Sequence, residues 1–252
     1  MFAAGLPRTA RAEDAAPAPQ MSPVHWIGEV INYRVAFGVI PAGAARLSVL
    51  DTTTLDGHTA VHAISTARSA KAFDVVYRVR DSIETWFDAD SVYSLRFHKR
   101  LSEGRFHDDQ KVVYDHANGL AQLWSRGKEK PVQNVDPHVV DVLAAGYKAR
   151  TVPLSVGDTI LFKTHDVDKV YDLLVFVRGR ETVETPAGRF DCFKVEPVLK
   201  SGGLFQKEKS ARVFIWVTAD QRRIPVQMQS KVSFGSVTAT MDAYTPPTGH
   251  TP

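Results

Sequence analysis

The chain has one cysteine, Cys192, in 252 residues. That excludes an intramolecular disulfide and any CxxC metal or redox motif, so stability has to come from packing. No stretch approaches the roughly 18 consecutive apolar residues that a membrane-crossing helix needs, which excludes such a helix. Charge of one sign is scarce as well. With Lys and Arg at 31 against Asp and Glu at 28, the formal net charge is only +3. A nucleic-acid partner is therefore not expected, because it would call for a concentrated basic stripe or a recognition motif. A Walker loop, a dinucleotide fingerprint and other phosphate-cradling glycine motifs are missing too, so no cofactor is expected. Heptads and long internal repeats are likewise absent.

What is present is material for a core: 44% of residues are hydrophobic, with 13 Phe, 7 Tyr and 4 Trp. A chain of this length and composition is expected to form one β-rich domain, here over residues 25–246. Residues 1–24 differ in kind, being rich in Ala and Pro. Ala10-Arg11-Ala12 ahead of Glu13 resembles a signal-peptidase site with cleavage after Ala12, although Met1 to Pro7 is too short for the apolar region of a leader. Met1 is accordingly expected to lie inside a longer signal peptide, with residues 1–24 a leader remnant and linker, residues 247–252 a disordered tail, and the protein periplasmic.

Period-two alternation dominates the rest. Ile27, Glu29, Ile31, Tyr33, Val35 and Phe37 fall on one face of an opening strand, with Asn32, Arg34 and Ala36 on the other. Pro41-Ala42-Gly43 is read as the turn into a second strand carrying Ala45, Leu47 and Val49, and Asp56-Gly57 as the turn into a third. More strands are expected near residues 78–87, 92–101, 110–115, 159–165, 170–178, 191–198, 212–217 and 226–244, the last interrupted around Gly235. One helix breaks the series: Asp136 supplies an N-cap, Pro137 a first helical residue, and Val139, Val142, Leu143 and Gly146 the helical spacing. A short helical turn is expected at 69–75. Residues 170–177 are apolar on both faces, which predicts a central strand covered on both sides. The fold class expected is mainly β: a single antiparallel, strongly curved sheet or flattened open barrel with one packed helix.

Several of these pieces occur in a recognisable order. Gly28-Glu29 with Tyr33, the Ala42-Gly43 turn, Gly179-Arg180-Glu181 leading to Thr185-Pro186-Ala187-Gly188-Arg189-Phe190, and Trp216 through Pro225 together resemble the Domain of Unknown Function 3108 family of bacterial exported proteins. The resemblance covers nearly all of Gly28 to Tyr244 and implies a periplasmic or envelope-associated β-rich protein. It brings no established catalytic residues. It also departs at one point: relatives resemble Asp-Pro-Leu-Ser followed by an aromatic-rich helix, where this chain has Asp136-Pro137-His138-Val139.

Candidate chemistry is thin. His165-Asp166-Val167-Asp168 is the densest cluster of metal-ligand types, but it lies between two strands and reads as a polar hairpin tip, so no metal is expected. His107-Asp108-Asp109 and Asp115-His116 place neighbours on opposite strand faces. Gly235-Ser236 lacks the glycine of a nucleophile elbow. Cys192 has no cationic neighbour in sequence and reads as a small buried residue. Trp26, Trp86, Trp124 and Trp216 either fill the core or line a cavity, and Arg222-Arg223 either caps a turn or binds an anion.

The candidate binding surface comes from strand register. Keeping Ile83 and Phe87 on one buried face with Tyr93, Leu95 and Phe97 calls for an odd-length loop, read as Asp88-Ala89-Asp90. That register sets Arg80 opposite His98, Ser82 opposite Arg96 and Arg78 opposite Arg100 on the other face, with Glu84 as the only local acid. Such a patch calls for acids from a neighbouring strand or for an external anion. The expected ligand-binding residues are Arg78, Arg80, Arg96, His98, Arg100 and Trp86. The function this points to is non-catalytic: a periplasmic protein that binds an amphipathic or anionic envelope component (lipid, lipopolysaccharide or polysaccharide) or a protein partner of envelope assembly. The alternatives are a hydrolase of cell-envelope carbohydrate or lipid, working with His and Asp residues at a sheet rim, and a purely structural interaction domain.

Overall fold

The computed structural model describes residues 23–167, 169–199, 212–232 and 235–248. The proposed leader site at Ala10 to Ala12 lies outside them. After a short 3-10 turn (Pro23–Trp26), the chain forms strands β1 (Val30–Phe37), β2 (Ile40–Leu55), β3 (His58–Ser69), β4 (Arg80–Asp88), β5 (Ser94–Glu103), β6 (Phe106–Asp115), β7 (Leu120–Ser125), β8 (Lys128–Glu129) and β9 (Gln133–Asn134). The helix α1 (Val142–Arg150) follows. The return is β10 (Thr159–Asp166), β11 (Lys169–Thr185), β12 (Gly188–Leu199), β13 (Arg212–Thr218), β14 (Pro225–Val232) and β15 (Gly235–Thr245).

All strands belong to one antiparallel sheet of 15 strands, in the order β10-β11-β12-β13-β14-β15-β1-β2-β3-β4-β5-β6-β7-β8, with β9 on β7. The first and last strands therefore pair in the middle. The chain walks out to one edge, crosses, and walks back from the other. The crossing segment makes the sheet curl: Ser94 N–H donates to Val139 O (3.0 Å), and Val140 exchanges backbone hydrogen bonds with β10, donating to Lys163 O (3.0 Å) and accepting from His165 N–H (2.9 Å). Lys99 of β5 reaches Asp166 of β10 (3.0 Å), and the Tyr114 hydroxyl of β6 meets His165 Nδ1 (3.1 Å). The strongly curved, flattened open barrel is the architecture the alternation predicts.

Helix α1 occupies the hollow. Ala144, Ala145 and Tyr147 pack with Trp26, Val61, Phe87, Phe162, Tyr171, Leu173, Val175 and Phe193 in the largest buried cluster. The helix starts later than Asp136-Pro137 predicts. His138 adopts φ 58°, which ends any helical path there, and Val139 and Val140 are spent on bridging the sheet. The N-cap is Asp141, whose carboxylate accepts from Leu143 N–H (2.8 Å) and Ala144 N–H (2.9 Å). Its second oxygen accepts from the Thr85 (2.6 Å) and Ser94 (2.5 Å) hydroxyls. The Ala70 carbonyl accepts from Phe73 and Asp74 N–H, the helical turn expected there.

Other local expectations divide in the same way. Asp56 and Gly57 both have positive φ, as a two-residue hairpin turn requires. The Thr185 to Gly188 and Trp216 to Pro225 hairpins also form. Pro41 to Gly43, by contrast, is not a turn. The chain reverses at Gly38-Val39, and Gly43 lies in β2, where a Cβ would come within 2.1 Å of Arg68 O on β3. Close approach, not reversal, demands that glycine. Ile31 and Tyr33 are buried as expected, but irregularities in the pairing after Asn32 and Val35 leave Val35 and Phe37 half-buried. Strand β11 is not central: it lies beside the edge strand β10. Its inner face carries Tyr171, Leu173, Val175 and Val177 under the helix, while Arg178 covers Phe176 on the outer face with its guanidinium 4.3 Å from the ring centroid.

Candidate functional site

The outer face of β4 to β7 carries a groove of about 570 Å3, lined by Trp86, Arg96, Phe97, His98, Asp109, Lys111, Val113, Trp124 and Gly127. Alternation builds it. In β5, Leu95, Phe97 and Lys99 are buried inward, which turns Arg96, His98 and Arg100 outward. In β7, Ala121 and Leu123 are buried, which turns Trp124 outward. Across the strands, Trp86 lies opposite Arg96 and Arg96 opposite Val113. One step along, Glu84 faces His98, His98 faces Lys111, and Lys111 faces Trp124. The two tryptophans thus flank β5 and β6, three strand spacings across and two residues along the strand from each other, roughly 16 Å between their backbones.

The register between β4 and β5 differs from the expected one. The connection is longer: Phe87 pairs with Ser94, and the Asp88 carboxylate accepts from the Asp90 and Ser91 N–H groups to fold the chain between them. An irregularity between Trp86 and Phe87 then restores the odd-with-odd pairing. Arg96 consequently faces Trp86, Arg100 faces Ser82, and Arg80 faces Arg68 on β3.

The structure groups only some of the residues expected to bind. Trp86, Arg96 and His98 line the groove. Arg100 is turned to Glu84, which also receives His62 Nε2 (3.1 Å). Arg80 is held by Asp74 (2.6 Å) at the far end of β4, and Arg78 is exposed on the β3–β4 loop. Neighbouring acids thus neutralise much of the basic face. His98 is paired with Asp109 (2.8 Å), and Trp86 is stacked on His62 with ring centroids 4.2 Å apart. Among the described residues, Arg96 and Lys111 have no ion-pair partner, and the Arg96 guanidinium sits 6.0 Å from the Trp86 ring centroid. Trp124 and Lys111 were not among the residues expected to bind. Their signal is an aromatic ring and a cation at the outward positions of alternating strands.

The other chemistry-bearing residues serve the fold. His165 is buried between Tyr114 and Gln133 (3.0 Å to Gln133 Oε1). Among the described residues, no group of three or more His, Cys, Asp and Glu side chains is placed to hold a metal ion. Cys192 is buried, and burial pushes its thiol up to about 12. Glu29 and Arg150, both almost fully buried, form a two-pronged ion pair (2.6 and 2.8 Å). Arg150 also donates to Arg222 O (3.1 Å) and lies 4.7 Å from the Trp26 ring centroid. The Tyr244 hydroxyl donates to Glu29 (3.1 Å), and that of Tyr33 to Pro225 O (2.7 Å). Only about 20 Å3 is open beside this cluster. Gly28, at φ 87°, packs so tightly that a Cβ would meet Thr248 at 2.7 Å.

A curled antiparallel sheet holding one helix in its hollow defines a β-barrel-like protein. The chain belongs to the DUF3108 family, described as proteins of unknown function, whose family model matches residues 32–242. Glu29 and the Arg222 carbonyl both meet Arg150, and Tyr33 is tied to Pro225 O, which gives these residues a structural role. Among solved structures, the chain is similar to the β-barrel-like protein of Domain of Unknown Function DUF1849 from Brucella abortus, at TM-score 0.61 and 10% identity over 89% of this chain and 100% of that one. Weaker likenesses are a candidate lipoprotein from Parabacteroides distasonis (TM-score 0.40, 11% identity, 90% and 100% covered) and a candidate exported protein with a YmcC-like fold from Bacteroides fragilis (0.37, 13%, 90% and 100%). The fold likeness rests on the first. No curated protein matches the chain. No helix among the described residues is long and apolar enough to cross a membrane.

Proposed function

We propose that this protein is a non-catalytic, exported envelope protein that holds an anionic saccharide of the cell envelope in the Trp86–Trp124 groove. One observation carries the reading: two outward tryptophans bracket two cations, Arg96 and Lys111, that have no acidic partner among the described residues. Indole faces stack on the C–H faces of sugar rings, and the cations pair with phosphate or carboxylate substituents. The spacing of the two tryptophans across the sheet suits an oligosaccharide better than a single small ion. A volume of about 570 Å3 falls within the size range of small-ligand pockets. Export is supported by the Ala10-Arg11-Ala12 motif.

The test is calorimetric titration with the phosphorylated core oligosaccharide released from lipopolysaccharide, alongside its dephosphorylated counterpart. Binding is expected for the first, weakened at least tenfold by Trp124→Ala, by joint Arg96→Gln and Lys111→Gln, and by dephosphorylation. Absence of binding, or binding indifferent to all three changes, refutes the reading.

A further inference from the structure

The end of the barrel where β1 meets β2, β3 meets β4 and β5 meets β6 exposes large apolar side chains on three adjacent connections. Val39 and Ile40 stand on the first, Val75, Val76 and Tyr77 on the second, and Phe106 at the start of β6 on the third. Val75 is 89% and Val76 78% exposed, although both sit in turns closed by backbone hydrogen bonds from Val76 and Tyr77 N–H to Phe73 O. The connections touch one another. Ala70 N–H donates to Ala42 O (2.8 Å), Gly104 N–H donates to Arg78 O (2.7 Å), and a Cβ on Gly104 would lie 3.2 Å from the Tyr77 ring. Half of the large exposed hydrophobics in the described chain are thus gathered at one end.

Unpaired basic side chains outnumber unpaired acids around this tip. Asp74 is ion-paired with Arg80 (2.6 Å) and Asp108 with Arg126 (3.7 Å), while Asp81 accepts from Ser102 N–H (2.9 Å) and Glu103 from the Tyr77 hydroxyl (3.4 Å). Arg68, Lys71, Arg78 and Arg105 are exposed and have no ion-pair partner among the described residues. An apolar tip ringed by free cations complements a bilayer whose surface is anionic: the tip enters the headgroup boundary, where Tyr is favoured, and the cations meet lipid phosphates.

We infer that this protein docks end-on to an anionic lipid surface through Val75, Val76, Tyr77 and Phe106, steered by Lys71, Arg78 and Arg105. The surface is separate from the Trp86–Trp124 groove, so the two assignments stand or fall apart. The test is co-sedimentation with vesicles of phosphatidylcholine alone or with 30% phosphatidylglycerol, with circular dichroism and thermal melts of every variant to confirm folding. Wild type should pellet with the anionic vesicles and be released by rising salt. Joint Val75→Asp and Val76→Asp should abolish pelleting, and joint Lys71→Gln, Arg78→Gln and Arg105→Gln should weaken it at least tenfold; all these side chains are exposed, so both variants are expected to fold. Trp124→Ala should pellet like wild type. Failure of wild type to pellet, or pelleting unchanged in both tip variants, overturns the inference. So does a concentration-dependent dimer in sedimentation velocity that the Val75/Val76 variant abolishes, since that assigns the tip to a second copy of the chain.

Discussion

Burial decides what single side chains can do here. Cys192 is fully enclosed, and burial pushes its thiol up to about 12. It therefore remains protonated and shielded across pH 6–9, and the thiolate is the reactive species. Titration of the native protein with an aromatic disulfide reagent at pH 8 should release no chromophore until denaturant is added; rapid native release would place the thiol at the surface. Asp141 is the opposite case, a buried carboxylate with four donors. Asp141→Ala removes the cap and strands two buried hydroxyls, at a cost of about 2–4 kcal/mol in urea melts. Asp141→Asn keeps the cap geometry and should lose less. The small, buried character of Cys192 was legible in its neighbours. The role of Asp141 was not, because Asp136-Pro137 is the better local start signal, and what moves the cap is the demand of β10 for backbone partners at Val140.

Among elements, parity was legible and register was not. Alternation alone puts Arg96, His98 and Trp86 on one face. A three-residue loop after Phe87 and the observed longer connection both satisfy that parity, because the irregularity at Trp86 and Phe87 absorbs the extra residue. Alternation does not distinguish the two, and the choice is made by the Asp88 turn and by burial of Val92 and Tyr93. Long-range closure was equally hidden. Glu29 and Arg222 lie far apart in the sequence, yet both meet Arg150 on α1, more than a hundred residues from Glu29. Removing one partner of a buried ion pair leaves an uncompensated charge, so Glu29→Met should cost roughly 3–5 kcal/mol. The double variant Glu29→Met with Arg150→Met should recover much of that loss in the same melts. Equal destabilisation of the single and double variants would mean that the charges do not act as a pair.

For the whole molecule, the curled sheet divides the chemistry between inside and outside. The hollow is filled by α1 and its aromatic neighbours, which leaves the outer groove and the apolar tip as the surfaces where binding is proposed. The mainly β, curved architecture was legible because alternation repeats in strand after strand. The groove was half legible, since Trp124 and Lys111 join it only through pairing across β6 and β7. The most direct measurement of the central claim follows the indole N–H signals of the 4 tryptophans by nitrogen-proton NMR during titration with the phosphorylated core oligosaccharide. Trp86 and Trp124 should shift, while the buried Trp26 and Trp216 stay in place. Shifts confined to Trp26 or Trp216, or no shift at any indole, would contradict the assignment of the groove as the ligand site.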